Sequence, residues 1–274
     1  MSKTRESGFM PGRFSDLDTA DQASEYVTYL EKTGKRLRKL SRARYDWLNL
    51  SPGDHVLDVG CGLGDDAREL APLVAPGGKV VAIDSSAGMV NEARKRSEGL
   101  GLGAEFAVGD AHHLEFADAS FAACWSERVL QHLADPDGAL GQMVRVLKPG
   151  GRLVAFEPDH ATLVIDAVDR DATKAMSQAL ADSIRSSSVG RSLFSLFKAN
   201  GLDEVRITPT PIVSHSLADT NLLLRLDATA QAAVQRGLIT AQAAARWFAD
   251  LQQREYAGRY FACLLCFAAC GRKP

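Results

Sequence analysis

The 274-residue sequence contains few cysteines, no excess of either charge and no long apolar segment. Five cysteines do not form the dense pattern of a disulfide-stabilised scaffold. A net charge of -2 argues against a dedicated nucleic-acid-binding protein. The longest apolar run, 260–270, is about half of the ~20 residues that a membrane helix needs. Because the first ten residues also lack the apolar core of a secretory signal, we expect a cytoplasmic protein with reduced thiols and no membrane span.

Short apolar strands alternate with helical segments through the first half of the chain. The pattern predicts strands at 55–59, 79–84, 104–108, 121–125 and 152–156, and helices at 65–74, 86–98 and 137–147. Strands that alternate with helices indicate a parallel sheet covered on both faces. The second half departs from this alternation: helices are predicted at 166–187, 190–200 and 218–255, and strands at 205–213 and 259–270.

A helical pattern also precedes the first strand, at 21–48, after a polar arm of about twenty residues. Gly34 offers a break that would divide it into two helices. Its apolar stripe contains Tyr26, Leu30, Leu37, Leu40 and Trp47. Its opposite face carries Lys32, Lys35, Arg36, Arg38, Lys39, Arg42 and Arg44. This face could bind RNA or a phosphorylated substrate, but we favour a solvated surface.

A glycine-rich turn separates the first strand from the helix that follows it. Glycines allow the backbone to approach a ligand closely, and the helix N-terminus offers free N–H groups. Asp84, at the end of the second strand, can accept hydrogen bonds from the two hydroxyls of a ribose. Gly62-x-Gly64-x-x-Ala67 also fits the loose dinucleotide pattern, so this turn alone leaves a nicotinamide enzyme and a nucleoside-binding methyltransferase open.

Four landmarks in a fixed order favour the second alternative. They are Asp58-Val59-Gly60-Cys61-Gly62-Leu63-Gly64, Asp84, Gly109-Asp110-Ala111 and Leu147-Lys148-Pro149-Gly150-Gly151-Arg152-Leu153. Together they resemble the class I S-adenosylmethionine-dependent methyltransferases, in particular the small-molecule branch that includes the quinone-biosynthesis C-methyltransferases. The resemblance implies an α/β fold: a Rossmann-like, mostly parallel seven-stranded sheet with helices on both faces, a helical N-terminal lid and helical insertions on the rim.

The same resemblance implies S-adenosyl-L-methionine as the cofactor and assigns the residues around it. The glycines would approach the methionyl part, Asp58 would help to hold its ammonium, Asp84 would bind the ribose, and Asp110 would accept from the adenine amino group. The full predicted cofactor set is Asp58, Gly60, Cys61, Gly62, Gly64, Asp84, Ser85, Met89, Asp110, Ala111, His112 and Ser126.

Methyl transfer is an in-line displacement, and a base is needed only where the nucleophile arrives protonated. Candidate bases or substrate-orienting groups are His132, after the fourth strand, and Glu157 and His160, after the fifth. Each has a structural alternative: either histidine can pack and hydrogen-bond in the core, and Glu157 can cap a turn. We predict no metal site, because strand geometry would separate Cys263 from Cys266 and Cys270.

The resemblance further implies three regions: an arm and lid at 1–48, a cofactor-binding core at 49–160, and the rest of the core with a substrate cap at 161–274. We expect a small, hydrophobic acceptor and aromatic side chains around its pocket. The aromatics considered are Tyr26, Tyr29, Trp125, Phe156, Trp247, Phe248 and Tyr256. The alternatives are a relative that uses the cofactor for cyclisation or elimination without methyl transfer, a nicotinamide oxidoreductase, and a non-catalytic binding subunit. The acceptor atom and the oligomeric state stay open.

Overall fold

The computed structural model describes residues 20–274, and the polar arm predicted for the first twenty residues lies almost wholly outside them. One seven-stranded sheet organises the described chain, in the order β3-β2-β1-β4-β5-β7-β6. The strands are β1 (His55–Val59), β2 (Lys79–Asp84), β3 (Ala104–Val108), β4 (Phe121–Glu127), β5 (Leu147–Ile165), β6 (Asp203–Ser214) and β7 (Ala262–Arg272). The helices are α1 (Ala20–Tyr45), α2 (Asp65–Val74), α3 (Ala87–Ser97), α4 (Pro136–Val146), α5 (Arg170–Asp182), α6 (Val189–Ala199), α7 (Leu217–Leu224), α8 (Leu226–Gln235) and α9 (Ala241–Tyr256).

The first five strands pair in parallel, and β7 runs antiparallel between β5 and β6. The carboxyl ends of β1, β2, β4 and β5 therefore meet at one edge of the sheet. From β1 the chain first adds β2 and β3 on one side and then crosses to add β4 on the other side. Open α/β sheets bind their ligands at this switch point, between β1 and β4. The predicted fold class is confirmed.

Local signals set most helix boundaries. Ser86 caps α3 by accepting from the Met89 N–H, and Asp135 caps α4 by accepting from the Gly138 N–H. In α2 the buried residues Ala67, Leu70, Ala71 and Val74 recur at helical spacing against the sheet. These helices and the strands beside them match the boundaries that the sequence predicts to within about two residues.

Four predicted boundaries were wrong. Gly34 does not divide α1, which continues as one helix to Tyr45. The fifth strand is much longer than 152–156, because antiparallel pairing with β7 continues to Ile165. The helix predicted at 166–187 covers only α5, since the Asp169 cap sets its start. The segment 218–255 forms three helices, because Arg225 adopts a left-handed conformation between α7 and α8 and Thr240 caps a new helix, α9.

The basic face of α1 is not simply solvated. Arg38 and Arg42 pair with Glu69 of α2, each at 2.7 Å, and Arg36 pairs with Asp219 of α7. Arg44 is buried, with its guanidinium 4.3 Å above the Phe156 ring. These contacts hold α1 across the carboxyl edge of the sheet, above the site described next.

Candidate functional site

A cavity of about 490 Å³ opens at the carboxyl edge of the sheet, beneath α1. Eleven of the predicted site residues line it: Gly60, Cys61, Gly62, Asp84, Ser85, Met89, Asp110, Ala111, His112, His132 and His160. The volume lies within the range typical of small-molecule and cofactor sites. α1 covers the glycine turn, with Leu30 Cδ1 3.6 Å from where a Cβ of Gly62 would be, and residues from α5, α7, β6 and β7 also line the cavity.

Gly60 occupies the closest approach in the glycine turn. Its φ is +76°, and a Cβ at this position would lie 2.3 Å from Cγ2 of Val129. The N–H groups of Gly60 and Cys61 both donate to the Ile83 carbonyl, at 2.8 and 2.9 Å. The turn is therefore held flat against the ends of β2 and β4, so its backbone forms one wall of the cavity.

Substitution of Gly60 by alanine is expected to destabilise the fold by about 1–3 kcal/mol, from the steric overlap and the positive φ together. Adding Val129→Ala is expected to recover part of the loss, because it removes the overlapping methyl groups and leaves only the backbone cost. Urea denaturation of the single and double variants measures the coupling. A double variant no more stable than Gly60→Ala would contradict the contact.

Asp84 joins the glycine turn to the start of α3. One carboxylate oxygen accepts from the Gly62 N–H at 2.9 Å, and the other accepts from the Ser86 N–H at 2.9 Å. These two hydrogen bonds fix the carboxylate in place before any ligand binds, and the residue lines the cavity. Such a preorganised acceptor suits the vicinal hydroxyls of a ribose.

Three carboxylates interact near the glycine turn, those of Asp58, Asp66 and Glu127. Asp58 is 1 % exposed, and its Oδ2 has no hydrogen-bond partner among the described residues. Burial, followed by the charges of Asp66, Glu127 and Asp84, raises the pKa of Asp58 well above its usual range. Grouped carboxylates raise one another's pKa unless a cation neutralises them. S-adenosylmethionine carries two positive charges, so this donor set fits its methionyl end.

Asp66 lines the cavity, as does Glu127, whereas Asp58 does not. It accepts from the Tyr45 hydroxyl at 2.5 Å and from Trp125 Nε1 at 3.1 Å. Burial and the charge of Glu127 raise the pKa of Asp66 to about 7, against the effect of these two hydrogen bonds. Asp66 is thus a carboxylate on the cavity wall whose ionisation changes near neutral pH.

We expect the affinity for S-adenosylhomocysteine, whose ammonium is retained, to fall as the pH drops below about 7. A cationic ligand favours ionised Asp66, so below the pKa of the free protein binding must first remove a proton. Calorimetric titrations from about pH 5.5 to 8.5 measure this slope. Asp66→Asn should flatten the curve, and an unchanged slope in that variant would contradict the assignment.

Asp110 is more exposed than Asp84 and is held by its own loop. Its Oδ1 accepts from the His112 N–H at 2.8 Å and lies 3.1 Å from His112 Nδ1. The backbone hydrogen bond from His112 holds the pKa of Asp110 below its usual value. The carboxylate stays ionised at neutral pH and available to a donor such as an exocyclic amino group.

Four predicted site residues do not line the cavity: Asp58, Gly64, Ser126 and Glu157. Gly64 begins α2, with Phe106 only 2.5 Å from where its Cβ would be. Ser126 is fully buried, and its Oγ has no partner among the residues described. Asp58 and Ser126 therefore lie behind the wall, and a role for either toward a ligand must be indirect.

Glu157 is fully buried and serves the turn after β4. Its carboxylate accepts from the N–H groups of Val129 and Leu130 at 2.8 Å and of Gln131 at 3.3 Å. Burial raises the pKa of Glu157 to about 8, and the three N–H groups act in the opposite direction. The placement matches the capping alternative, although the turn capped is the one after β4 and not the one after β5.

His132 and His160 lie together on the acceptor side of the cavity. Burial lowers the pKa of His132 to about 3 and that of His160 to about 4, so both rings are neutral at pH 7. Gln131 Nε2 donates to the Arg128 carbonyl at 3.1 Å, which leaves Gln131 Oε1 to accept from His160 Nε2 at 2.8 Å. This network places the proton of His160 on Nε2. Nδ1 is then the basic nitrogen, and it has no partner among the described residues.

Sequence reasoning missed Asp66 and Arg128 as cavity residues. Asp66 stands two positions after Gly64, in the first turn of α2. Acidic residues are common at this position because they interact favourably with the helix dipole, so Asp66 gave no sign of another role. Arg128 has a φ of +57°, uncommon for a side chain other than glycine. The only sequence signal for Arg128 as a cavity residue is its position, in a charged dipeptide with Glu127 at the end of the fourth strand.

The prediction that aromatic side chains surround the acceptor pocket was wrong for most of the residues named. Of the seven aromatics considered, only Tyr29 lines the cavity. Trp247 and Phe248 contact each other within the helical insertion, and Trp247 Nε1 donates to Thr173 at 2.9 Å. Tyr256 is 96 % exposed. The walls are instead aliphatic.

Cys263 is half-buried, whereas Cys266 and Cys270 are buried on the other face of β7. Within residues 20–274, no group of three or more histidine, cysteine, aspartate or glutamate side chains is placed to hold a metal ion. No helix in this part of the chain has the length and apolar character needed to cross a bilayer.

The profile of the methyltransferase domain family matches residues 50–202. An uncharacterised 37.1 kDa protein of transposon TN4556 from Streptomyces fradiae is 37% identical over 88% of this chain and 69% of that protein. A demethylmenaquinone methyltransferase from Renibacterium salmoninarum is 38% identical over 46% of this chain. That match spans only 50% of the quinone enzyme's own length.

Solved structures share the fold at lower identity. Phosphoethanolamine N-methyltransferase 2 from Haemonchus contortus, in complex with S-adenosyl-L-methionine, has a TM-score of 0.61 and 20% identity, covering 94% of this chain and 59% of that one. The [4+2]-cyclase SpnF has a TM-score of 0.52 and 24% identity, covering 86% and 80%. With its sheet order, its glycine turn and its match to the family profile, the chain belongs to the methyltransferase domain family and is a class I S-adenosylmethionine-dependent methyltransferase.

Proposed function

We propose that this enzyme methylates an oxygen, nitrogen or carbon atom of a small and mostly apolar metabolite. The observation that carries the proposal is the single cavity that runs from the glycine turn to aliphatic walls on α5, α7 and β7. A largely apolar pocket with a few polar groups at one end suits a small hydrophobic acceptor. Residues 1–48 and 161–274 would form the cap over this pocket, and 49–160 the cofactor-binding core.

The cofactor roles follow from the polar groups around the glycine turn. Asp84 would accept from the ribose hydroxyls, Asp110 from the adenine amino group, and the Gly60–Gly62 backbone would lie against the methionyl part. Asp58 and Ser126 would act through an intervening water, because neither reaches the cavity surface. When bound, S-adenosylmethionine supplies a methyl group on a positively charged sulfur that leaves as a neutral thioether.

The remaining groups would orient the acceptor and exclude water. α1 closes the cavity over the sheet edge through its ion pairs with α2 and α7. His160, neutral and with its lone pair on Nδ1, is the candidate to take a proton where the nucleophile arrives protonated; His132 lies beside it. Glu157, committed to three backbone amides, would position the turn and take no proton from substrate.

The charge distribution favours a small acceptor over a nucleic acid. Of the cations on α1, Arg36, Arg38 and Arg42 are paired with acids of neighbouring helices. Lys32, Lys35 and Lys39 are then the exposed cations of this face without an ion pair in the described chain, a narrower positive surface than a phosphate backbone favours.

A partition experiment tests the proposal. The enzyme is incubated with radiolabelled methyl donor and, in parallel, with a deproteinised small-metabolite extract, bulk transfer RNA or bulk protein. We expect label only in the organic-extractable small molecules, and none with the Asp84→Ala variant. Label in RNA or protein would contradict the substrate class. Conversion of an extract component without incorporated label would favour the alternative of a cyclase or lyase.

A further inference from the structure

The cavity has aliphatic walls on its acceptor side and is also lined by an arginine. Leu163, Leu180, Ile184 and Leu264 form part of these walls. Arg128 lines the same cavity, with 23% of its side chain accessible, and the charges of Glu127 and Asp66 act on it. A guanidinium in such surroundings is costly unless its donors are satisfied.

The backbone holds Arg128 in place. Its φ of +57° is stabilised by its own N–H, which donates to the Phe156 carbonyl at 2.8 Å. The next three N–H groups are bound by the Glu157 carboxylate, and the Arg128 carbonyl accepts from Gln131. A residue kept in an uncommon conformation by so many contacts indicates that the direction of its side chain matters.

Most donors of Arg128 have no partner. Nε donates to Glu127 at 3.2 Å, but Glu127 is shared with the Ser41 hydroxyl at 2.5 Å. Neither Nη1 nor Nη2 makes a hydrogen bond to any residue of the described chain. Their four N–H groups form the planar fork that matches a carboxylate or another anionic oxygen.

The other cations and neutral donors that line this side are paired, uncharged or exposed. Arg38 is occupied by Asp65 and Glu69, and His132 and His160 are neutral. The Tyr29 hydroxyl donates to the Leu223 carbonyl at 3.2 Å. Arg185, exposed on the rim, makes no ion pair with a described residue and adds positive potential at the entrance.

We propose that Arg128 binds an anionic oxygen of the methyl acceptor, so that the acceptor is an organic acid with an apolar body. The carboxylate, or the ionised oxygen of an enol or phenol, pairs with the free edge of the guanidinium, and the apolar body lies against the aliphatic walls. The inference rests on the proposed small-molecule function and narrows its substrate class.

Paired probes of equal shape test this assignment. Octanoate is compared with octan-1-ol, and 1-naphthoate with 1-naphthalenemethanol, by calorimetry on the enzyme saturated with S-adenosylhomocysteine. We expect at least one acid to bind about tenfold or more tightly than its alcohol. At saturating S-adenosylhomocysteine, Arg128→Met should abolish that preference, whereas Arg246→Met on exposed α9 should retain it.

Three outcomes would overturn the proposal: equal binding of acid and alcohol by the wild-type enzyme, binding of neither, or an undiminished preference in Arg128→Met. The wild-type comparison stands even where the variant does not fold. A titration with S-adenosylhomocysteine alone is done first. If the enzyme binds this ligand but shows none of the expected acid preference, the assignment of Arg128 fails while cofactor binding, on which the proposed function depends, stands. Transfer of label to RNA or protein would remove the function and not merely the substrate class.

Discussion

Substitution of Asp84 by alanine is expected to weaken S-adenosylhomocysteine binding by roughly 100-fold, with the variant still folded. Under the proposed assignment, the carboxylate accepts from two ribose hydroxyls while it holds the Gly62 and Ser86 N–H groups at 2.9 Å. A hydrogen bond to a charged group contributes about 1.5–3 kcal/mol, so two lost ribose contacts give about 3 kcal/mol. Each 1.4 kcal/mol is a factor of about ten in affinity, which yields the expected loss. Isothermal calorimetry at fixed pH measures it.

Two further variants make the test specific. Asp84→Asn keeps one acceptor oxygen and is expected to lose about tenfold. Asp171→Ala removes an acid of α5 whose side chain is 97% exposed, and it should leave the affinity unchanged. Unaltered binding by folded Asp84→Ala would show that the ribose lies elsewhere. Should that variant fail to fold, the asparagine variant decides, because it can retain one of the two backbone contacts.

The parts of the site that the sequence predicts are those encoded over a few neighbouring residues. The strand, the turn from Gly60 to Gly64 and the helix after it follow one another directly, so their chemistry can be read in order. Asp84 and Asp110 end the next two strands, and a parallel sheet brings such ends to one edge. For this reason, most of the predicted cofactor residues line the cavity.

The acceptor side could not be predicted because it depends on contacts between distant segments. Glu157 reaches amides 26 to 28 positions earlier in the chain, and this contact fixes the conformation of Arg128. The ion pair of Arg36 with Asp219 joins the first helix to the seventh. Side-chain type alone also misled: aromatic residues suggested a pocket wall, but Trp247 packs inside the insertion. No local pattern carries such information.

The length of the fifth strand also depends on a contact between distant segments and could not be predicted from the sequence. The apolar run from Arg152 to Phe156 marks only its parallel part, beside β4. The extension to Ile165 exists because β7 pairs with it in the antiparallel direction, with an irregularity between Asp159 and Val164. That extension carries His160 and Leu163 to the cavity. The acceptor pocket is therefore a product of tertiary pairing and not of local propensity.

Replacing Glu157 with glutamine is expected to lower the free energy of unfolding by about 3 kcal/mol. The two carboxylate oxygens accept three backbone N–H groups, whereas glutamine offers one acceptor oxygen and a donor amide in the same space. At least one buried N–H would then face another donor, and at a pH above about 8, where Glu157 is ionised, the remaining bonds would also lose their charge assistance. Urea denaturation followed by circular dichroism measures the change.

The variant should also weaken S-adenosylhomocysteine binding by about tenfold, because the turn that Glu157 holds places Val129 against Gly60. Asp159→Asn is the matched control: it removes a buried charge two residues along the same strand, but its partner is Arg191 on α6, away from the turn. That variant should lose stability and keep its cofactor affinity. If both variants lose stability equally and neither loses affinity for S-adenosylhomocysteine, Glu157 has only a structural role. A loss of affinity confined to Glu157→Gln would instead show that this carboxylate on β5 sets the geometry of the cofactor side through the turn that it holds.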